Sequence, residues 1–310
     1  MPSISSARHA RVYHHASDLP AEVWRALLQN EAAANVILPF ASKALHVPRG
    51  GDEQLWIALY GETNNVEFVL SCTRGPLGNY PIFIVPSKSS VQIAQEEKRG
   101  KNIADSLLPL VLCLLQEVPP QRVFSVFSIA KVTEKFAEIF ESHTHQEYGI
   151  QALQDPYYDA TFTFCTSETL KRASDSISSL PGSEDVAISL RPADMSHFTG
   201  IKAMCKAFSE TSVSTAAYVV RIWIVMNILW QQPPFVLDDE GADLEARMLI
   251  ANEQAWVHVV EKEGQEPEIA SLVATTRESD NVTAVTKVFT AEHWRGRGCA
   301  ARLLHRVCQE

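Results

Sequence analysis

The segment VTKVFTAEHWRGRGCAARLLHRVCQE, from Val285 to Glu310, decides the fold prediction for this chain. A β-branched, apolar run ends at Thr290, a helix-forming run begins at Cys299, and the quartet RGRG lies between them at residues 295–298. The first N–H groups of a helix have no acceptor within the helix, and glycine lets a ligand approach the backbone closely. The segment therefore predicts a strand-to-helix turn that binds a phosphate or a diphosphate.

Other interpretations of this turn remain open. It could be an ordinary connection whose two arginines are solvated. It does not have the GxxxxGK[ST] spacing of a P-loop, and it has neither the third glycine nor the later acidic residue of a dinucleotide fingerprint. A nucleotide-binding enzyme that uses the turn for another phosphate is a further alternative.

Composition limits the class of protein. Apolar residues make up 46% of the 310 residues and charged residues 21%, as in globular proteins with a packed core. The formal net charge of -10 disfavours a nucleic-acid-binding protein, because phosphate contacts require a basic face. The six cysteines are far apart without CxxC spacing, which favours neither disulfides nor a metal site. We expect a cytoplasmic protein, with the nucleus as the alternative.

One apolar segment resembles a membrane span. Residues 216–230, AAYVVRIWIVMNILW, are nearly all apolar, but the run is too short for a bilayer and contains Arg221 and Asn227. We expect a buried helix here and no membrane contact.

The order of predicted elements is similar in the two halves. In the first half we expect helix Ala21–Asn30, strands Leu55–Tyr60, Val66–Thr73 and Tyr80–Pro86, helix Ile103–Glu117, strand Val123–Ile129, helix Val132–Ser142 and strand Tyr158–Thr166. In the second half we expect strand Ala187–Arg191, a helix from Pro192 to Phe208, helix Asp243–Gln254, strands Trp256–Val260, Ile269–Thr276 and Val282–Thr290, and helix Cys299–Val307.

The polar, serine-rich stretch at residues 169–185 is typical of a linker. It separates a predicted N-terminal α/β domain, residues 1–168, from a second domain, residues 186–310. We predict an α/β (α+β) fold with a mixed, mainly antiparallel sheet flanked by helices, arranged as two tandem units.

Arg295 to Ala300 match the (Gln/Arg)-x-x-Gly-x-(Gly/Ala) signature of the GNAT family of N-acetyltransferases, and the chain resembles that family from about Val186 to Glu310. The resemblance implies an acyl-CoA N-acyltransferase fold and transfer of an acetyl group from acetyl-CoA to an amine of a small molecule or a peptide. A catalytically inactive acyl-CoA-binding or regulatory module is the alternative. The N-terminal half would then be a degenerate unit of the same kind, because the segment between Pro86 and Ile103 lacks the signature.

The resemblance also implies site residues. Main-chain amides of Arg295, Gly296, Arg297, Gly298, Cys299 and Ala300 would bind the diphosphate of acetyl-CoA, and the backbone of Val288, Phe289 and Thr290 would bind its pantetheine and acetyl carbonyl. No catalytic side chain is assigned. The polar groups nearest the expected site are Thr275, Thr276, Glu278 and Glu292, and we expect the two carboxylates to be solvated. His258, His293 and Cys299 are expected in structural or surface roles.

The family's fold continues with another strand and helix, whereas this sequence stops at Glu310. We expect a truncated or alternatively terminated form with poor catalysis. In the alternative, the N-terminal half supplies an intact fold that braces the second. Without a neighbouring strand, Val282–Thr290 would leave a sheet edge exposed, where a dimer could form.

Overall fold

The structure of the chain is a computed structural model that describes residues 7–49, 54–76, 78–153, 161–170, 186–220 and 236–310, with the side chains of 212–220 excepted. The chain divides into two compact units. The first unit comprises Met1–Gln154 and Arg277–Val282, and the second comprises Asp155–Thr276 and Thr283–Glu310. Most of the predicted linker lies outside the described residues.

The first unit contains a six-stranded sheet. Its strands are β1 (His9–Tyr13), β2 (Gln54–Tyr60), β3 (Val66–Gly75), β4 (Gly78–Asn79), β5 (Ile82–Pro86) and β6 (Val126–Phe127). The order is β1-β2-β3-β5-β6, with β4 paired to β3. Neighbouring strands are antiparallel except β5 and β6, which run parallel and pair at Ile82–Val126 and Phe83–Phe127.

Helices cover both faces of this sheet. They are α1 (Ala21–Gln29), α2 (Glu31–Ala34), α3 (Leu38–Ala44), α4 (Ser90–Lys98), α5 (Ile103–Glu117) and α6 (Ala130–Tyr148). In β2, Leu55, Ile57 and Leu59 pack in a core with α5 and α6, whereas Trp56, Ala58 and Tyr60 pack in a core with α1 and α3. A strand that is buried on both faces reads as a continuous apolar run, which explains the sequence LWIALY.

The second unit contains a four-stranded sheet in the order β10-β9-β8-β7. The strands are β7 (Val186–Pro192), β8 (Ala255–Lys262), β9 (Glu268–Glu278) and β10 (Thr283–Thr290). The β7–β8 and β8–β9 pairs are antiparallel. Thus β10 forms an edge of this sheet within the described part of the chain.

The helices of the second unit are α7 (Phe198–Val220), α8 (Asp239–Ala251) and α9 (Cys299–Val307). One core contains Ile201, Cys205 and Leu249 from α7 and α8 with Val257 and Leu272 from the sheet. A smaller core contains Val260, Ala270, Trp294 and Cys299. The two clusters draw on alternate residues of β8, since successive side chains of a strand point to opposite faces.

The prediction of a mixed, mainly antiparallel architecture flanked by helices is confirmed. Among the described residues, no helix is both long enough and apolar enough to cross a bilayer. The apolar segment 216–230 is described only as far as residue 220, where it continues α7.

Three element predictions are wrong in part. Residues 161–166 of the expected strand Tyr158–Thr166 form no strand, and residues 158–160 lie outside the described range. Phe162 and Phe164 are 52% and 65% exposed, so the alternation of Thr and Phe does not reflect burial. The expected strand Val123–Ile129 is limited to Val126–Phe127.

The third error concerns the helix expected from Pro192. Pro192 ends β7, where it pairs with Trp256 of β8. A single 3₁₀ turn, Met195–His197, follows and is capped by the Asp194 carboxylate, which accepts a hydrogen bond from the Ser196 N–H. The α-helix begins only at Phe198.

Candidate functional site

The turn between β10 and α9 carries the predicted anion site. A 3₁₀ turn, Glu292–Trp294, follows β10, and α9 begins at Cys299 as expected. Gly296 and Gly298 adopt φ values of 75° and 73°, in the left-handed region. A side chain at either position would be strained there, which explains the two glycines.

The turn satisfies one of the predicted amides itself, because the Arg295 N–H donates to the Glu292 carbonyl at 3.2 Å. In the described part of the chain, no backbone carbonyl accepts a hydrogen bond from the N–H of Gly296, Arg297 or Gly298. Gly298 caps α9 without a side-chain hydrogen bond, and residues 295–298 are all exposed. Several donors at the positive end of a helix are therefore accessible to an anion.

The two arginines of the turn pack against aromatic rings. The Arg295 guanidinium lies 5.5 Å from the ring centre of Phe289, and its Nε donates to the Thr290 carbonyl at 3.2 Å. The Arg297 guanidinium lies 5.0 Å from the ring centre of Trp294. These contacts hold two positive charges beside the exposed amides.

The strand residues predicted to bind pantetheine differ in environment. The Phe289 side chain packs against the core of α7 and α8 and meets the Phe208 ring edge-on at 6.4 Å. Val288 is 37% exposed. Within the described part of the chain β10 has a neighbouring strand on one side only, so the other side of its backbone forms the sheet edge.

The structure does not group the other polar candidates into a catalytic set. The Thr276 hydroxyl donates to the Thr286 hydroxyl at 3.0 Å, so it is satisfied within the sheet. Glu278 and Glu292 are exposed, as expected. His293 is an exposed residue that pairs with Glu268. Thr275 is half-buried, and its N–H donates to the Gln254 carbonyl at 2.9 Å.

A buried polar cluster beneath the turn was not predicted. It comprises His258 on β8 and Cys299 and Arg302 on α9, all less than 6% exposed. The Arg302 Nη2 donates to the Arg297 carbonyl at 2.5 Å and contacts the Cys299 Sγ at 3.7 Å. The His258 Nδ1–H donates to the Cys299 carbonyl at 3.3 Å. The burial of Cys299 and His258 agrees with the structural roles expected for them.

Acid should weaken the packing around His258. Burial, and secondarily the charge of Arg302, lower the pKa of His258 from 6.5 to about 4. In the unfolded chain the His258 imidazole binds a proton below about pH 6.5, whereas in the folded chain it does so only near pH 4. Protons therefore favour the unfolded state between these values, and the stability that is present above pH 6.5 is lost as pH falls to 4. We expect the free energy of unfolding to fall by about 3 kcal/mol across this window.

Urea unfolding followed by circular dichroism at pH 7 and pH 4.5 measures this loss. His258→Gln should reduce the difference between the two pH values, whereas His293→Gln, at an exposed position, should retain it. An unchanged pH dependence in His258→Gln would contradict the assignment.

A second unpredicted cluster lies beside β10. The Lys287 ammonium pairs with the Glu245 carboxylate of α8 at 3.0 Å, and both side chains are at most 15% exposed. The same ammonium lies 4.8 Å from the ring centre of Phe208. Burial, followed by the Glu245 charge, raises the pKa of the Cys205 thiol to about 12. Cys205 is therefore protonated at neutral pH and is not a nucleophile there.

The first unit contains a related helix start. Residues 99–108, RGKNIADSLL, match residues 295–304, RGRGCAARLL, at the arginine, the first glycine, the alanine and both leucines. Gly100 has a φ of 84°, and α5 begins three residues after it, as α9 begins three residues after Gly296. Alignment of these two decapeptides, rather than a search for the full signature, would have found the similarity.

At the start of α5 in the first unit, the cations and a helix N–H group already have partners within the protein. This helix start lines a cavity of about 280 Å³. The Glu96 carboxylate accepts from the Lys88 ammonium at 2.8 Å and from the Lys101 ammonium at 3.3 Å. Asn102 takes the position of Gly298 and caps α5 by accepting from the Ala104 N–H. Two cations and one helix N–H group are thus already paired here.

No protein-family model matches this chain, and a search of the curated proteins finds no match. A function is therefore inferred from the residues and contacts of the chain itself.

Proposed function

We propose that the chain is an acetyl-CoA-dependent N-acetyltransferase that transfers an acetyl group to an amine of a small molecule or a peptide. The observation that carries this proposal is the row of N–H groups at residues 296–298, which have no backbone acceptor in the described part of the chain and precede α9. Had the protein satisfied these amides itself, they could not bind a diphosphate.

The order of elements in the second unit supports the proposal. Strand β7 is followed by α7 and α8, then by β8, β9 and β10, and then by the glycine turn and α9. This is the order that the resemblance to the GNAT family implies. The acyl-CoA N-acyltransferase fold and the tandem arrangement of two such units belong to the same proposal, and the similarity of residues 99–108 to residues 295–304 supports the latter.

The chain's own residues would perform two tasks in this reaction. The turn amides and the α9 dipole would bind the diphosphate, with Arg295 and Arg297 adding positive charge. The backbone of Val288, Phe289 and Thr290 would hold the pantetheine arm and the acetyl carbonyl along the β10 edge. The amine nitrogen would then attack the thioester carbon, so that an amide bond forms while the C–S bond breaks. The proton lost by the amine would end on the departing sulfur, which leaves as the free thiol of coenzyme A, and positioning would supply much of the rate.

The alternative is a module that binds acyl-CoA without transferring the acyl group. The described polar candidates favour it, since Thr276 is satisfied within the sheet and Glu278 and Glu292 are exposed, so that these three do not form a grouped acid and base. A dimer formed through the β10 edge also remains a prediction.

Two measurements on the full chain test these proposals. Isothermal titration with acetyl-CoA should detect binding, and incubation with acetyl-CoA and a panel of primary amines should release free thiol. Binding without amine-dependent thiol release would support the inactive module. No binding of acetyl-CoA would contradict both.

A further inference from the structure

Arg302 is a buried cation directly behind the turn. It is 5% exposed and lies one turn into α9, where its Nη2 donates to the Arg297 carbonyl. A Cβ at Gly298 would lie 3.3 Å from the Arg302 Nη1, so the guanidinium fills the space that the glycine leaves. A side chain at residue 298 would therefore contact the Arg302 guanidinium and could displace it.

The geometry of the peptide bond makes this contact relevant to ligand binding. The Arg297 carbonyl and the Gly298 N–H belong to one planar trans peptide, in which C=O and N–H point in opposite directions. Because Arg302 holds this carbonyl on the buried side, the Gly298 N–H is directed to the opposite side, where the turn is exposed.

The first residue of α9 is also held by a buried contact with the sheet. The Cys299 carbonyl accepts from the His258 Nδ1–H on β8, and the Cys299 side chain is 1% exposed. The start of the helix is therefore fixed to the sheet, and Arg302 acts on a turn whose other end is anchored.

We propose that Arg302 is a positioning residue for diphosphate binding, because its hydrogen bond to the Arg297 carbonyl turns the Gly298 amide outward. The inference rests on the proposed function only in naming coenzyme A as the ligand. Inorganic pyrophosphate tests the same amides without the rest of the coenzyme. A charged hydrogen bond of this kind is stronger than a neutral one and is only weakly screened when it is buried.

The experiment is isothermal titration of coenzyme A and of inorganic pyrophosphate, at one ionic strength, into the wild type and three variants. Arg302→Met should weaken binding of both probes at least tenfold. Arg302→Lys keeps the charge but lacks the planar fork, so its affinity should fall by roughly three- to tenfold. Arg306→Met is the matched control, since it removes the same charge from an exposed position on the same helix and should stay within about twofold of wild type.

The outcomes separate the two proposals. If the wild type binds pyrophosphate but not coenzyme A, the acyltransferase proposal fails while the role of Arg302 is still tested by pyrophosphate. If Arg302→Met lowers only the urea midpoint and binds both probes as the wild type does, Arg302 is structural and the inference is overturned. Where Arg302→Met does not fold, wild-type affinity in Arg302→Lys overturns it. A wild type that binds neither probe overturns both proposals.

Discussion

Replacing Gly298 by valine is expected to weaken coenzyme A binding by roughly 100-fold or more, about 2.7 kcal/mol. Valine at a φ of 73° is strongly disfavoured, so residues 297–299 should shift to relieve it. The added Cβ would also meet the Arg302 guanidinium at 3.3 Å. Both effects displace the N–H groups that would bind the diphosphate. Isothermal titration with coenzyme A measures the loss.

Gly264 provides a matched control for this substitution. It lies in the second unit, between β8 and β9, and its φ is also 73°, with no atom within 4 Å of an added Cβ. Gly264→Val should therefore cause a similar backbone strain without altering coenzyme A affinity. Equal affinity in the Gly298 and Gly264 variants would exclude the turn as the diphosphate site.

Replacing Glu245 by alanine is expected to destabilise the second unit by about 3 kcal/mol. The substitution leaves the Lys287 ammonium, 15% exposed, without its carboxylate between α8 and β10. Removing one partner of a buried ion pair costs more than replacing both by apolar groups, since only the first leaves an uncompensated charge. The double variant Glu245→Leu with Lys287→Met should recover most of the loss. The urea midpoint is the measurement.

An exposed ion pair on the same helix serves for comparison. Asp239 of α8 pairs with Lys206 of α7, and the two side chains are 75% and 42% exposed. Asp239→Ala should change the urea midpoint much less than Glu245→Ala, because solvent screens the exposed pair. If the two single variants lose the same stability, burial is not what gives the Glu245–Lys287 pair its importance.

The sequence identifies the elements whose side chains are buried on a regular period. Strand β2 and helix α5 stand out because both are almost continuously apolar. Strand β1, HARVY, gives little signal, since its residues are half-buried or exposed. Residues 161–166 are wrongly predicted as part of a strand, because Thr and Phe alternate there as in a strand, yet the residues are exposed and form none.

The candidate site also has a part that the sequence predicts and a part that it does not. The turn is visible in the sequence because glycine at positive φ is a local requirement that leaves a local signature. The sequence does not show the contacts of Arg302, the contact of His258 with α9 or the Glu245–Lys287 pair, since these form between distant elements. A single arginine in a helix is usually assigned to its solvated face, and only the fold shows that Arg302 is buried.

The buried thiols of the two units provide independent kinetic reporters. Cys72 lies in β3 of the first unit, whereas Cys205 and Cys299 lie in the second, and all three are at most 4% exposed. An alkylating reagent reaches such a sulfur only after the surrounding structure opens. Pulsed alkylation with peptide mass mapping would therefore measure the opening rate of each unit separately in one sample. Equal rates would indicate that the two units unfold together.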